Sequence, residues 1–396
     1  VRGITTAAAI ALIVAACTGS PSTTSTTAST LPASTTTTEP PLETGSGVVD
    51  TTIHLGAFLP LSGPLQAIGE SVLAGHMAYW NYVNDDLGGV AGQFSVAVEQ
   101  VDTAYDPDTA RGALDAHQDD LLAISSSLGT PVTEALLDAG SPMPIMAGSQ
   151  LWSWSTRSDT VVFDLAISTY RAQIENISTQ ITGSTIGFVA PDGEYGDDCL
   201  AGAAVPPDIV DRYQAGTTDF EATVNILQGV DVLVACVTST DLGRIIATWD
   251  LLGNRPPIYA TSPSFDPSLF GVLDSVPEDL FVAGAPPPYE SDEPGMTLFR
   301  SVMGDATVDV WTFLGYTQAA TMHLLLEQAI AGHDLTFSGV LGARPELGDV
   351  DFGFGWGAAR FEKALPVVPV TIQIPDADAL FGLQPTDEIT TQGGRR

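Results

Sequence analysis

The chain has 396 residues and a formal net charge of −35, with a pI near 4.1. So acidic a balance excludes nucleic acid as a natural partner and argues against adhesion to anionic lipid through a basic patch. Only 15% of residues are charged, and three cysteines are too few for a disulfide scaffold.

In chain order, Arg2 precedes an apolar run from Ala7 to Ala16 and then Cys17. A basic residue, about ten apolar residues and small residues before a cut describe a secretory signal, too short for a membrane span. The tetrad Val14-Ala15-Ala16-Cys17 is similar to a bacterial lipobox. Cys17 is therefore the expected lipidation site, holding an exported protein on the outer face of the cytoplasmic membrane; the alternative is an ordinary signal with an incidental cysteine. From Thr18 to Gly45, sixteen of 28 residues are Ser or Thr. Such a stretch cannot offset chain entropy, so residues 18–50 are expected to form a disordered tether. No later segment reaches 18 apolar residues, and no transmembrane helix is expected.

Period-2 patterns at Ile53, Leu55 and Ala57 and at Phe94, Val96 and Val98 predict strands. Between them Leu73, Met77, Trp80 and Val83 recur at helical spacing, up to the stop at Gly88-Gly89. A helix from Asp106-Pro107, a buried strand at Leu121–Ile124, a helix over Thr130–Ala139 and a strand at Pro144–Met146 follow. After a bridge near Ala166–Thr169 the alternation resumes. Strands are predicted at 185–190, 209–213, 230–237, 257–260 and 280–283, with helices at 196–204, 219–228 and 242–252. The pattern predicts two doubly wound parallel-sheet α/β lobes, with ligands at the carboxyl ends of their strands.

The run Leu59-Pro60-Leu61-Ser62-Gly63-Pro64, the helix exit Asn84-Asp85-Asp86-Leu87-Gly88-Gly89-Val90 and the turn Asp102…Tyr105-Asp106-Pro107 stand in the first half. Asp192-Gly193-Glu194-Tyr195-Gly196 and Ala215-Gly216-Thr217-Thr218-Asp219-Phe220 stand in the second. In this order, over about residues 51–380, they resemble type I periplasmic binding proteins of the leucine/isoleucine/valine-binding branch that serves ABC importers. The resemblance implies lobes joined by a three-crossing hinge: residues 51–166 with about 285–335 in the first, 167–284 with about 336–380 in the second, and a tail at 381–396. It implies a monomer that takes a small polar, carboxylate-bearing molecule, such as an amino acid or amide, and passes it to a permease. A sensor of the same fold, signalling to a membrane partner, is the alternative.

Carried over residue by residue, the resemblance nominates Ser126 and Ser127 at one strand end and Gly148-Ser149-Gln150 at another, where N–H groups meet an anion. From the second lobe it nominates Tyr195, Thr238, Ser239 and Ser262. Ser262 stands where amino-acid receptors usually carry an acid for the ligand's ammonium, a charge that Asp192 or Glu194 would have to replace. Ile68 occupies a position often aromatic in relatives, and Trp152 and Trp154 are candidates for the cleft wall or the hinge surface. With strands ordered 2-1-3, Cys199 and Cys236 fall on neighbouring elements, and a disulfide between them is expected, two buried thiols being the alternative. The five His residues (54, 76, 117, 323, 333) form no ligand-spaced cluster, and nucleophile elbow, phosphate loop and dinucleotide fingerprint are all missing. No enzyme activity, metal or cofactor is expected; His76 and His323 read as satisfied core or surface residues.

Overall fold

The computed structural model describes residues 40–390, apart from 158, 274 and 276. Cys17 and the Ser/Thr-rich segment to residue 39 lie outside the described residues. Beyond that point the expected tether is already built into the fold. Glu43–Thr44 pairs in parallel with Asp334–Leu335, and Val48–Val49 turns back on Thr52–Ile53. Leu42 and Val48 pack against the core, which offsets the ordering cost that the residues before them could not meet. Gly47 makes the approach possible: its φ is +74°, and a Cβ there would stand 2.0 Å from the Leu122 nitrogen.

The first sheet has the parallel order Ser95–Asp102, Thr52–Leu59, Ala123–Ser127, Ile145–Ala147, Val161–Phe163. The second repeats that order with Ile209–Tyr213, Ile186–Pro191, Val232–Ala235, Ile258–Thr261 and Leu280–Ala283. Strand 2-1-3-4-5 twice over is the doubly wound pattern, and it aligns the carboxyl ends of each sheet. Helix boundaries follow local chemistry. Asp106 caps Pro107–His117 by accepting the Thr109 N–H at 2.7 Å, and Asp309 caps Val310–Ala331 through a capping box with Thr312. The long helix Val310–Ala331 is buried around most of its circumference, packed against Gln66–Asp85.

Two histidines are built into this interface. His76 is fully buried, accepts from Trp80 Nε1 at 3.2 Å and lies 3.0 Å from Ser125 Oγ. Burial holds its imidazole down to about 4, so it is neutral at ordinary pH. Tyr79 Oη lies 3.0 Å from His323 Nδ1. Both histidines are structural.

The chain crosses between lobes three times, at 164–169, 284–293 and 368–369. The last crossing falls later than the family resemblance implied. Residues 336–367 stay on the first lobe, because buried Arg344 donates to Val161 O at 2.6 Å and Asp159 O at 3.0 Å. Beyond it, Val370–Pro375 and Leu383–Thr390 add two antiparallel strands to the second sheet, so much of the expected tail is a strand. Each continues a sheet edge that would otherwise expose unpaired backbone. Two further strand-lobe details differ from expectation: Val161–Phe163 closes the first sheet, and the helix starting at Glu194 begins two residues early. Cys199 is thereby in that helix's second turn, not its first. It is bridged to Cys236, just past Val232–Ala235, with Cα atoms 6.4 Å apart. No helix among the described residues is long and apolar enough to cross a membrane.

Candidate functional site

A cavity of about 310 Å³ lies between the carboxyl ends of the two sheets. Five helices begin at its wall: Gln66–Asp85, Thr130–Asp138, Tyr170–Gln180, Ser239–Leu252 and Val310–Ala331. Their N-termini carry partial positive charge into the cavity. Side chains blunt three of them: Thr169, Thr238 and Asp309 each accept N–H groups of the helix they precede. Thr130–Asp138 has no side-chain cap, and Gly129 and Thr130 both line the cavity. Gly129 is required there, since φ is +100° and a Cβ would meet the Tyr105 ring at 2.2 Å. Beside it Ser149 Oγ accepts from Thr130 Oγ1 at 3.1 Å, leaving its own proton to donate elsewhere. This corner can offer N–H and hydroxyl donors to an anion, although Pro131 in the first turn supplies no N–H.

None of the described lining residues is charged, and seven are aromatic. An ionised group on a ligand would therefore be met by N–H groups and hydroxyls, without a formal counter-charge. The body of the ligand would meet rings and aliphatic side chains.

The structure brings together most nominated residues. Ile68, Ser149, Gln150, Tyr195, Thr238, Ser239 and Ser262 all line the cavity. Ser126 and Ser127 do not, and their nomination is corrected: both are fully buried within the first lobe. Ser126 donates to Gln318 Oε1 at 2.5 Å, and Ser127 donates to Met146 O at 2.7 Å. The strand runs on to Ser127, so the turn that reaches the cavity is Leu128-Gly129-Thr130.

Ser262 is held from behind. Gln173 Oε1 accepts its N–H at 2.9 Å, and Gln173 Nε2 donates to its hydroxyl at 3.2 Å. Among the described lining residues no acid replaces the missing charge. Asp192 bonds Gln214 and faces Arg212, while Glu194 accepts from Trp154 Nε1 at 2.9 Å, and neither lines the cavity. Trp152 and Trp154 likewise stay outside it: Arg171 lies 4.3 Å over the Trp152 ring, and Trp154 is fully buried. They join the lobes, with buried Asp198 accepting the Trp152 and Ser153 N–H groups at 3.0 and 2.9 Å. Burial raises the Asp198 carboxyl, and those bonds oppose the rise.

Tyr195 faces the cavity with its ring and its own lobe with its hydroxyl. Its Oη is 3.0 Å from Thr261 Oγ1 and donates to Val237 O at 3.3 Å. The ring packs edge-on against Tyr170, centroids 5.0 Å apart. Tyr195→Phe should therefore cost about 1 kcal/mol of stability, because Ser264 still donates to Val237 O at 2.8 Å. Chemical denaturation checks the loss; ligand affinity in the same variant should stay within about twofold, and a larger drop would return the hydroxyl to the ligand.

The sequence reading missed Gly129, Thr130, Tyr105, Tyr170, Phe265, Trp311, Phe313 and Trp356 among the lining residues. Tyr105 and Gly129 stood in recognisable turns, and the Gly-Thr-Pro helix start was a usable signal. Trp356 had none, because its segment follows no strand of the doubly wound pattern.

Comparison with known proteins places this geometry. The family model described as periplasmic binding protein matches residues 52–361. No curated protein sequence matches the chain. Among solved structures, a fatty acid ABC transporter substrate-binding protein from Thermomonospora curvata superposes with a TM-score of 0.77 at 22% identity, covering 89% of this chain and 95% of that one. A possible leucine/isoleucine/valine-binding protein from Rhodopirellula baltica gives 0.72 at 17%, covering 88% and 98%. A solute-binding protein of an ABC transporter from Rhodopseudomonas palustris, in complex with p-hydroxybenzoic acid, gives 0.72 at 15%, covering 86% and 98%. With two 2-1-3-4-5 lobes, three crossings and a family match over most of its length, this chain belongs to the periplasmic binding protein family, in its type I form.

Proposed function

We propose that this protein is the exported, lipid-anchored solute receptor of an ABC importer, and that it captures a small molecule with an apolar body and a carboxylate or similar acceptor head. The observation that carries the reading is the uncharged, aromatic-walled cavity between the sheet ends, with the uncapped helix start at Gly129-Thr130 on one side. The anchor rests on the Val14-Ala15-Ala16-Cys17 tetrad. Delivery to a permease rests on family membership.

Ligand contacts made by both walls favour the closed arrangement, so capture is a population shift about the three crossings. A simple α-amino acid fits poorly. Its ammonium would be buried with no acid to pair it, at a cost of several kcal/mol. An apolar acid needs only N–H donors and hydroxyls at one end, and the rings supply the rest.

The test is a thermal-shift screen of the purified protein against amino acids, amides and aliphatic and aromatic carboxylates. A true ligand at about 100 times its Kd should add about 2.7 kcal/mol of stability. If no compound moves the midpoint and none co-purifies, the receptor reading is wrong.

A further inference from the structure

One stretch near the end of the first lobe supplies a wall of the cavity without belonging to either sheet. Val350 and Ala359 exchange two backbone hydrogen bonds of 2.7 Å, closing a loop that holds Phe352-Gly353-Phe354-Gly355-Trp356-Gly357. All three glycines have positive φ, between 71° and 88°. This alternation lets the backbone reverse pitch at every second residue and present rings in between.

The loop is clamped. Gly295 N–H donates to Gly353 O at 2.7 Å, and a Cβ on Gly295 would stand 2.2 Å from Phe352 O. Phe352 stacks on Phe354 at 5.8 Å and 21°, and buried Phe354 packs on Phe313 at 5.0 Å. Trp356 then stands edge-on to Phe313, at 6.4 Å and 76°. It is the loop's one contribution to the cavity among the described lining residues, and it stays half-buried. Trp311 and Tyr105 also stand in the wall, each packed on the first-lobe core, Tyr105 with its ring against Gly129.

We propose that Trp356 is a specificity-determining residue and that the site takes a ring-bearing carboxylate in preference to a straight-chain acid or an amino acid. The proposal rests on the receptor reading above and names the class of its ligand. A clamped indole is presented at little entropic cost, so contact with it is gained at nearly full value. Rings repay an aromatic wall beyond the area they bury, because offset and edge-on arrangements align their quadrupoles. A flexible chain gains the area alone and loses rotamer freedom on entry.

Isothermal titration of the full chain with benzoate, heptanoate and leucine tests this, in the wild type and in Trp356→Phe and Trp356→Ala. The first two probes match in carbon number and differ in the ring. Benzoate should bind at least about tenfold more tightly than heptanoate, with no measurable leucine binding. Trp356→Ala should lose about tenfold or more for benzoate and little for heptanoate, whereas Trp356→Phe should stay within about threefold. Unliganded melting of both variants reports folding, and Trp356→Phe keeps a ring in place if the alanine variant fails to fold. Heptanoate or leucine binding as tightly as benzoate, or a Trp356→Ala variant with unchanged benzoate affinity, would overturn the ring assignment while leaving the receptor reading intact. Absence of binding by all three probes also overturns it, and mass spectrometry of co-purified small molecules then decides the receptor reading on its own.

Discussion

Loss of the Cys199–Cys236 bridge is expected to lower the unfolding free energy by about 4 kcal/mol, the entropy of a closed loop of this length in the unfolded chain. The two residues are 37 apart in sequence, and both are fully buried. In between lie the end of one helix, a strand, a second helix and the next strand, so the bridge shortens the unfolded path across half of the second sheet. Two thiols would still pack there as small apolar groups, which is why the loss comes mainly from the freed unfolded chain. The measurement is denaturant unfolding of the oxidised wild type beside the Cys199→Ser/Cys236→Ser double variant and the reduced wild type. Agreement of the reduced wild type with the double variant, both well below the oxidised protein, is the expected outcome. Coincident transitions for all three would show that the bridge contributes nothing.

That bridge was legible because both cysteines sit on elements that the 2-1-3 order of a doubly wound sheet makes neighbours. The same holds for the lobes: alternation of period 2 and period 3.6 is a local signal, and it survives in one sequence. Site residues at strand ends were legible to the extent that strand ends were. Ser149 and Gln150 follow a strand that stops where the apolar run stops. Ser126 and Ser127 were misplaced because small polar residues continue the strand beyond its last large apolar side chain, moving the turn to Leu128-Gly129. What stayed hidden depends on contacts between distant segments. Gln173 holds Ser262 across 89 residues, and Arg344 fixes the late C-terminal segment to a strand 183 residues earlier. No local pattern encodes such pairs. Trp356 is the extreme case, since its place in the wall follows from packing on Phe313 and from the bond that ties Gly353 of its loop to Gly295.

Asp164→Asn should stabilise the protein at alkaline pH and leave it no better off in acid. Asp164 follows the last strand of the first lobe and opens the first crossing, fully buried. It accepts from Thr317 Oγ1 at 2.6 Å, Thr321 Oγ1 at 3.2 Å and the Ala166 N–H at 2.8 Å, tying the crossing to the long helix. Burial outweighs those bonds and pushes its carboxyl up from 3.8 to about 6. The folded state therefore holds more protons than the unfolded state between these values. Its contribution is whole below pH 3.8 and is lost as pH rises through about 6, amounting to about 3 kcal/mol. His76 works the other way: with its folded value at about 4, its contribution is present above 6.5 and lost as pH falls through that value. Between about pH 4 and 6 the two slopes oppose and nearly cancel, so the Asp164 contribution shows in the difference between wild type and variant. An asparagine keeps one acceptor for Ala166 and can donate to the Thr317 hydroxyl, so the network survives without a charge to bury. Calorimetric midpoints from about pH 4 to about pH 8 should rise for Asp164→Asn relative to the wild type between about pH 4 and 6, and the two curves should run parallel above that range. Parallel curves across the whole range would mean that Asp164 is not the group that titrates.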